Sequence, residues 1–220
     1  MCNQIKTSRV SETREVFFNA MSSSHTSPIL TRRMIRRYTS QPIPRTVLDE
    51  LLEAATRAPS PHNRQPWRFA VVMGDTRARL AHTMGDQLRK DLAADGVPNE
   101  AIEKDAARSA QRITGAQAGI LMCLSMADMD VYPDARRNAA EHWMAGQATA
   151  AAAQNILLRA TELGLGACWM CAPLFCPNEV AVALNLPDDW EPQAYIALGY
   201  PADVGKDRAR KPIEAVSVWV

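Results

Sequence analysis

Apolar residues recur at helical and strand spacings along most of the chain after residue 28. Between Arg45 and Arg57 they fall three and four positions apart, which is typical of a helix with one buried face. Shorter β-branched or apolar runs, such as 67–73, predict strands instead. The predicted helices are 29–37, 45–57, 76–95, 99–114, 135–163 and 177–184, and the predicted strands are 67–73, 119–126, 167–170 and 193–200, with a final extended piece at 215–220.

This succession of elements predicts one layered α+β or α/β domain over residues 29–220. Residues 1–28 are rich in Ser, Thr and charge with no sustained period, so we expect a poorly ordered extension there. Met21 is an alternative start to Met1. The helix over 135–163 is rich in alanine and ends before Gly164, a typical helix stop, and its small side chains predict a buried central helix.

Composition narrows the classes of function. A chain of 220 residues that is 47% hydrophobic can bury a full core, and a net charge of +1 gives no general attraction for nucleic acid or an anionic membrane. No apolar run approaches the roughly 20 residues of a membrane span, and the first residues lack a signal-peptide pattern. We therefore expect a cytoplasmic protein, and its five cysteines suit reduced thiols better than a disulfide framework.

The densest chemical signal lies in residues 58–67, which read APSPHNRQPW and are called the proline loop below. Its three prolines prevent a continuous helix. Between them Ser60, Asn63 and Gln65 supply short donors and acceptors that suit the edge of a polar ring system. The proline loop is therefore predicted to hold a ligand.

Two arginine clusters are candidates for binding a phosphate. The first lies within TRRMIRRY at 31–38, and the second lies in the C-terminal basic segment, residues 206–211. Guanidinium groups are planar, permanently charged donors that match phosphate oxygens, whereas the alternative for each cluster is a solvated charged surface. The arginines concerned are Arg32, Arg33, Arg36, Arg37, Arg208 and Arg210.

Three further patterns point to other chemistry and are weaker. Cys168 and Cys171 form a C-x-x-C pair, but in a strand-like run rather than at the helix start that a thioredoxin-like motif needs. Glu141 and His142 are adjacent on a helix and point in different directions, so a structural role is favoured over acid–base catalysis. The chain has no glycine-rich nucleotide motif, and no cysteine or histidine spacing predicts a metal site.

Four stretches in order resemble the FMN-dependent nitroreductase family. They are RRMIRRY, APSPHNRQPW before WRFAVV, GLGACWMCAPLF, and IALGYP followed by R-x-R-K-P. The resemblance implies an α+β fold with a central, mostly antiparallel sheet flanked by helices, in an intertwined homodimer that holds two FMN molecules. Met34 departs from the family, which usually has Ser at that position as a phosphate ligand.

The resemblance also implies which residues bind the cofactor. Arg32, Arg33 and Arg36 would contact the phosphate, ribityl chain and pyrimidine edge of FMN, and the C-terminal basic segment would complete the phosphate site. The proline loop would reach a flavin across the dimer interface, and the backbone near Cys171 would lie over the flavin centre. The implied cofactor-binding set is Arg32, Arg33, Met34, Arg36, Pro59, Ser60, Pro61, Asn63, Gln65, Met170, Cys171, Ala172, Arg208 and Arg210.

The second half resembles more closely the C-terminal, nitroreductase-like domain of the coenzyme F-420 biosynthesis ligase. The matching stretches are VYPDARRNAAEHWM, GLGACWMCAPLFCPNEV and LNLPDDWEPQAYIALGYP. The implied activity is ping-pong transfer of hydride or electrons through flavin N5, from NAD(P)H to a nitroaromatic, a quinone or a deazaflavin precursor. FMN carries the reactivity, so no catalytic side chain is predicted. His62, Trp143 and Trp169 are candidate substrate contacts.

Two alternatives stay open. One is a flavin- or deazaflavin-binding protein without turnover. The other is a thiol redox protein that uses Cys168 and Cys171.

Overall fold

The computed structural model describes residues 27–220, and the predicted extension at 1–26 lies outside the described residues. The chain divides into two compact units, Met1–Thr31 and Arg32–Val220. The described part of the first unit is a single helical turn, α1 (Pro28–Thr31).

The second unit contains five helices and four strands with bounds close to the predicted ones. The helices are α2 (Arg45–Thr56), α3 (Thr76–Ala94), α4 (Asn99–Thr114), α5 (Ala135–Glu162) and α6 (Pro177–Leu184), and the strands are β1 (Trp67–Val72), β2 (Ala118–Leu124), β3 (Gly166–Met170) and β4 (Glu191–Gly199). Single turns of 3-10 helix follow at Pro61–Asn63, Ala172–Phe175 and Ile213–Ala215.

The four strands form one sheet in the order β1-β2-β4-β3, and all three pairings are antiparallel. The predicted α+β class with a central antiparallel sheet is therefore confirmed. Every residue of β2 is buried, because helices cover both faces of the sheet. A register shift between Met122 and Cys123 bends β2 against β4.

Alternation along the strands divides the core into two layers. Ile120 and Ile196 point to one face, where they pack with α2 and α5. Leu121 and Tyr195 point to the other face, where they pack with α3, α4 and α6. The predicted alanine-rich helix is α5, whose alanines approach the first face closely.

Local signals explain the ends of α5. The Asp134 side chain accepts a hydrogen bond of 2.9 Å from the backbone N–H of Arg137 and so caps the first turn. Gly164 follows the last turn with a φ of +72°, a conformation that glycine adopts without steric cost.

The prediction of a helix over 29–37 is wrong beyond Thr31. Residues 32–38, called the arginine segment below, run along the sheet, with an isolated parallel bridge from Met34 to Ala167. The Ile35 N–H donates to the Ala167 carbonyl at 3.0 Å. These backbone bonds to β3 replace the i to i−4 bonds of a helix.

The predicted extended piece at 215–220 is also wrong at its start. A 3-10 turn covers Ile213–Ala215, and residues 217–220 form no strand. Neither the 3-10 turn nor residues 217–220 pair with the four-stranded sheet.

Close approach of the arginine segment to β3 depends on Gly166. A Cβ at this position would lie 2.6 Å from Ile35 Cγ2 and 2.7 Å from Ile35 Cβ. We expect Gly166→Ala to lower the free energy of unfolding by about 1–3 kcal/mol, because overpacking at a buried contact forces the backbone to shift. Urea denaturation followed by circular dichroism measures the change.

Gly146→Ala in α5 is the matched control. No described atom lies within 4 Å of the added Cβ, so the free energy of unfolding should stay constant or rise slightly. Equal losses in the two variants would contradict the role of Gly166.

Candidate functional site

One nitrogen of the Arg32 guanidinium group is buried without a partner. Its Nε is buried, and the described residues 27–220 provide no hydrogen-bond partner for it. A buried donor left unpaired costs about 1–3 kcal/mol, and more when the group is charged. This atom therefore indicates a ligand with an acceptor oxygen, as a phosphate has.

The C-terminal basic segment lies beside Arg33. Arg33 Nη2 forms an ion pair of 3.0 Å with Asp207 Oδ2, and a Cβ at Gly205 would come within 3.0 Å of Arg33 Cβ. The two arginine clusters, which are far apart in sequence, are thus neighbours at this contact between Arg33 and Asp207. Arg208 and Arg210 follow directly and are exposed to solvent.

Arg36 lines a basic cavity of about 430 Å³. Three other guanidinium groups border it, from Arg37 and from two residues one turn apart on α4. Arg37 lies 3.9 Å from Asp203, too long for a strong pair, and Arg108 pairs with Asp105. The cavity is lined by Arg36, Arg37, Tyr38, Arg108, Gln111, Arg112 and Gly115.

The far end of β3 carries the predicted flavin-facing backbone. Met170 is buried in the layer under α3, Cys171 is exposed, and Ala172 borders a cavity of about 370 Å³ between α3 and the 3-10 turn Ala172–Phe175. Met34 is bridged to the same strand at Ala167. β3 therefore contacts the arginine segment near its start and leads into residues 170–172 at its end.

The cysteine pair does not suit dithiol chemistry. Cys168 is buried, and burial raises the pKa of its thiol, although the nearby Arg36 and Arg112 guanidinium groups lower that pKa in part. A raised pKa keeps the thiol protonated, and only the thiolate is a nucleophile. Burial likewise raises the pKa of Cys123 to about 12.

The proline loop lines a different cavity from the one beside Arg36. Pro59, Ser60 and Pro61 line a cavity of about 310 Å³ against α5, together with Gln147 and its neighbours. The arginine segment and the proline loop thus border different cavities of one chain.

The proline loop has a strained backbone. His62, Asn63 and Gln65 have φ values of 46°, 55° and 51°, in the left-handed region. Each such residue costs of the order of 1–3 kcal/mol unless its surroundings support it, and such residues concentrate at ligand sites.

Side chains from the loop after β2 hold the proline loop. Asp130 accepts hydrogen bonds from His62 Nδ1 at 2.8 Å and from Arg64 Nη2. Arg68 Nη2 donates to Asp128 at 2.9 Å. Hydrogen bonds from the His62 imidazole and the Arg64 guanidinium group lower the pKa of Asp130. Its carboxylate therefore stays charged at neutral pH.

The other candidate substrate contacts differ in exposure. Trp143 is 73% exposed on the outer side of α5, while Trp169 packs against the core under α2 and α5. His142 pairs with Glu191 at 2.7 Å, whereas Glu141 is buried. These two neighbours therefore point apart, as their adjacency on a helix predicts.

Sequence reasoning missed Asp130, Asp207, Arg108 and Arg112. The spacing of the two α4 arginines is a signal of one helix face, but nothing in the sequence places α4 beside Arg36. Asp207 precedes Arg208, a predicted phosphate-binding residue, but nothing in the sequence indicates that it would pair with Arg33. Asp130 had no local signal.

Comparison with known proteins gives the family. A sequence model of the Nitroreductase family matches residues 29–200. A Thermus thermophilus NADH dehydrogenase is 34% identical over 193 residues, which cover 86% of this chain and 93% of the relative. The chain therefore belongs to the Nitroreductase family.

Two further relatives support the same family assignment. A Bacillus subtilis protein with the provisional name NAD(P)H nitroreductase is 30% identical over 186 residues, covering 84% of this chain and 88% of its own. A crystal structure of a provisionally named Desulfovibrio desulfuricans nitroreductase in complex with FMN superposes with a TM-score of 0.67 at 28% identity, covering 88% and 94% of the two chains. These comparisons confirm the nitroreductase-like fold.

No helix within residues 27–220 is both long and apolar enough to cross a bilayer.

Proposed function

We propose that this chain is an FMN-dependent oxidoreductase that transfers hydride or electrons from NAD(P)H to a planar acceptor. Membership of the Nitroreductase family supports oxidoreductase chemistry. The observation that carries the cofactor is the buried, unpartnered Arg32 Nε, next in sequence to Arg33, which pairs with Asp207 of the C-terminal basic segment. A phosphate oxygen would satisfy that donor.

Arginines would hold the phosphate end of FMN. Arg32 supplies the buried donor, and Arg208 and Arg210 have exposed guanidinium groups in the segment beside Arg33. Met34 has no hydroxyl where the family usually has one, so the guanidinium groups carry this role alone. Arg33 is partly neutralised by Asp207, which leaves Arg32 as the stronger phosphate ligand.

The ring end would lie along β3. When bound, FMN supplies the redox chemistry, because its ring exchanges a hydride with both the donor and the acceptor. Arg36 would stabilise negative charge at the pyrimidine edge of a reduced flavin. The residues of the chain would bind and orient the cofactor, so no side-chain nucleophile is required. Residues 170–172 would present backbone groups to the ring.

The acceptor would be planar, of the nitroaromatic, quinone or deazaflavin-precursor type. Trp143 is exposed and offers a surface for stacking such a molecule. His62 and Trp169 are weaker choices, because one pairs with Asp130 and the other packs in the core. The resemblance of the second half to the coenzyme F-420 ligase domain supports including a deazaflavin precursor.

Arginine variants test the phosphate site. We expect Arg32→Ala and Arg210→Ala each to weaken FMN retention by on the order of tenfold or more, since a charge-assisted hydrogen bond contributes about 1.5–3 kcal/mol. Flavin content after gel filtration and fluorescence titration with FMN measure the effect. Arg79→Ala, at an exposed position on α3, is the charge-matched control. Unchanged retention in both test variants would overturn the phosphate assignment.

A homodimer is also proposed, since the arginine segment and the proline loop border different cavities within one chain. A partner's proline loop would then complete the site made by Arg32, Arg36 and residues 170–172. The exposed outer side of α5, which includes Trp143, offers a surface for contact with a partner. Sedimentation equilibrium should report twice the chain mass of 24.2 kDa. A monomer that retains FMN would contradict the shared site.

A donor and acceptor panel tests the activity. We expect purified protein to be yellow, to bleach with NADH or NADPH under anaerobic conditions, and to recover its colour with an acceptor. Because donor and acceptor would use one site in turn, double-reciprocal plots should be parallel. The panel includes nitroaromatics, quinones and dehydro deazaflavins.

The same panel separates the alternatives. Retained flavin that no donor bleaches would indicate a binding protein without turnover. A colourless protein that reduces insulin disulfides, and loses this activity in Cys171→Ser, would indicate a thiol redox protein.

A further inference from the structure

The proline loop adopts a backbone that its own residues do not favour. Asn and His adopt the left-handed region more often than most residues, but the region is uncommon for any residue except glycine, and Gln has no such preference. His62 and Gln65 nevertheless lie there, on either side of Asn63 and Arg64. The conformation therefore needs support from other parts of the chain.

Local bonds supply only part of this support. The Gln65 N–H donates to Ser60 Oγ at 3.0 Å, and the Asn63 N–H donates to the Ser60 carbonyl at 3.1 Å. These bonds close the turn from within. Beyond the turn, the Ser125 N–H donates to the Pro66 carbonyl at 2.8 Å and fixes where the loop joins β1.

Asp130 contacts the strained stretch itself. Each carboxylate oxygen takes a different donor, Oδ2 from His62 and Oδ1 from Arg64. The two donors flank Asn63, so one carboxylate holds the chain on both sides of that residue and just before Gln65. The Asp130 side chain is only 24% exposed, whereas the His62 side chain is 71% exposed.

We propose that Asp130 is a positioning residue, which holds the proline loop in the left-handed conformation that presents Ser60, Asn63 and Gln65 to FMN. The part concerning FMN rests on the proposed function. The part concerning the loop stands on its contacts alone. Within residues 27–220, the hydrogen bonds and ion pairs of Asp130 go to His62 and Arg64, so it acts through the loop.

Asp128 provides a matched control. It lies two residues before Asp130 in the same loop and also pairs with an arginine, Arg68 of β1. Its carboxylate bonds to none of the three strained residues, although its partner Arg68 also donates from Nη1 to the Gln65 carbonyl at 3.0 Å. Asp128→Ala therefore removes the same charge from the same loop without releasing the grip on residues 62 and 64.

Limited trypsin digestion of the native protein tests the loop without reference to FMN. Asp130→Ala leaves His62 and Arg64 free to be solvated, so folding should persist. We expect cleavage after Arg64, quantified by mass spectrometry, to be faster by on the order of tenfold, the effect of losing about 1.4 kcal/mol of support. Cleavage after Arg57 is the internal reference. Asp130→Asn is the second variant if the alanine protein does not fold.

Fluorescence titration with FMN tests the link to the cofactor. Asp130→Ala should weaken FMN binding by on the order of tenfold, while Asp128→Ala should change it less than threefold. In the Asp130→Ala background, adding His62→Gly should restore most of the affinity, because glycine adopts a positive φ without penalty. Adding His62→Ala should restore none, because alanine retains the strain. If Asp130 had a purely structural role, His62→Gly and His62→Ala would have the same effect on FMN affinity in the Asp130→Ala background.

The outcomes are separable. If the wild-type protein binds no FMN, the proposed function fails and the trypsin result alone decides the role of Asp130 in the loop. If the wild type binds FMN but Asp130→Ala binds it equally well, the positioning role is overturned. Equal cleavage after Arg64 in Asp130→Ala and Asp128→Ala would also overturn it.

Discussion

The fit of the arginine segment onto the sheet is the constraint on which the arrangement of the site depends. Gly166 and Gly199 have no side chains at the places where Ile35 and Tyr38 press on β3 and β4. Backbone bonds then fix the segment, from Ile35 N–H to Ala167 and from Thr39 N–H to Tyr200. The main chain thus fixes where each arginine side chain of the segment begins.

Burial reinforces this fit at Tyr38. Its hydroxyl oxygen lies 2.8 Å from the Ile35 carbonyl oxygen and 3.2 Å from that of Ala197. Burial raises the pKa of this phenol far above its usual value, so the hydroxyl stays neutral and able to donate. The same side chain borders the basic cavity at Arg36. The segment is therefore held at Ile35 and Tyr38 by neutral contacts that use none of its guanidinium groups.

Most of the fold could be predicted from the sequence, because long periodic segments such as α5 and apolar runs such as β2 carry their own signal. The arginine segment could not. Its residues are compatible with a helix, and the bonds that override this preference come from Ala167 and Tyr200, more than 130 residues away. The site was predictable to the same extent. The arginine clusters and the proline loop could be recognised from their composition. The contacts of Asp130 with the proline loop and the position of α4 beside Arg36 depend on the three-dimensional fold.

The alanines of α5 have a consequence for how this fold can vary. Ala145, Ala152 and Ala160 are fully buried, and they lose no side-chain rotamer entropy when the helix packs. A larger residue at any of these positions would push the helix off the sheet. Positions such as His142, Trp143 and Gln147 face outward. Sequence change along this helix should therefore concentrate on its outer side, where new surface chemistry can arise while the spacing between helix and sheet stays constant.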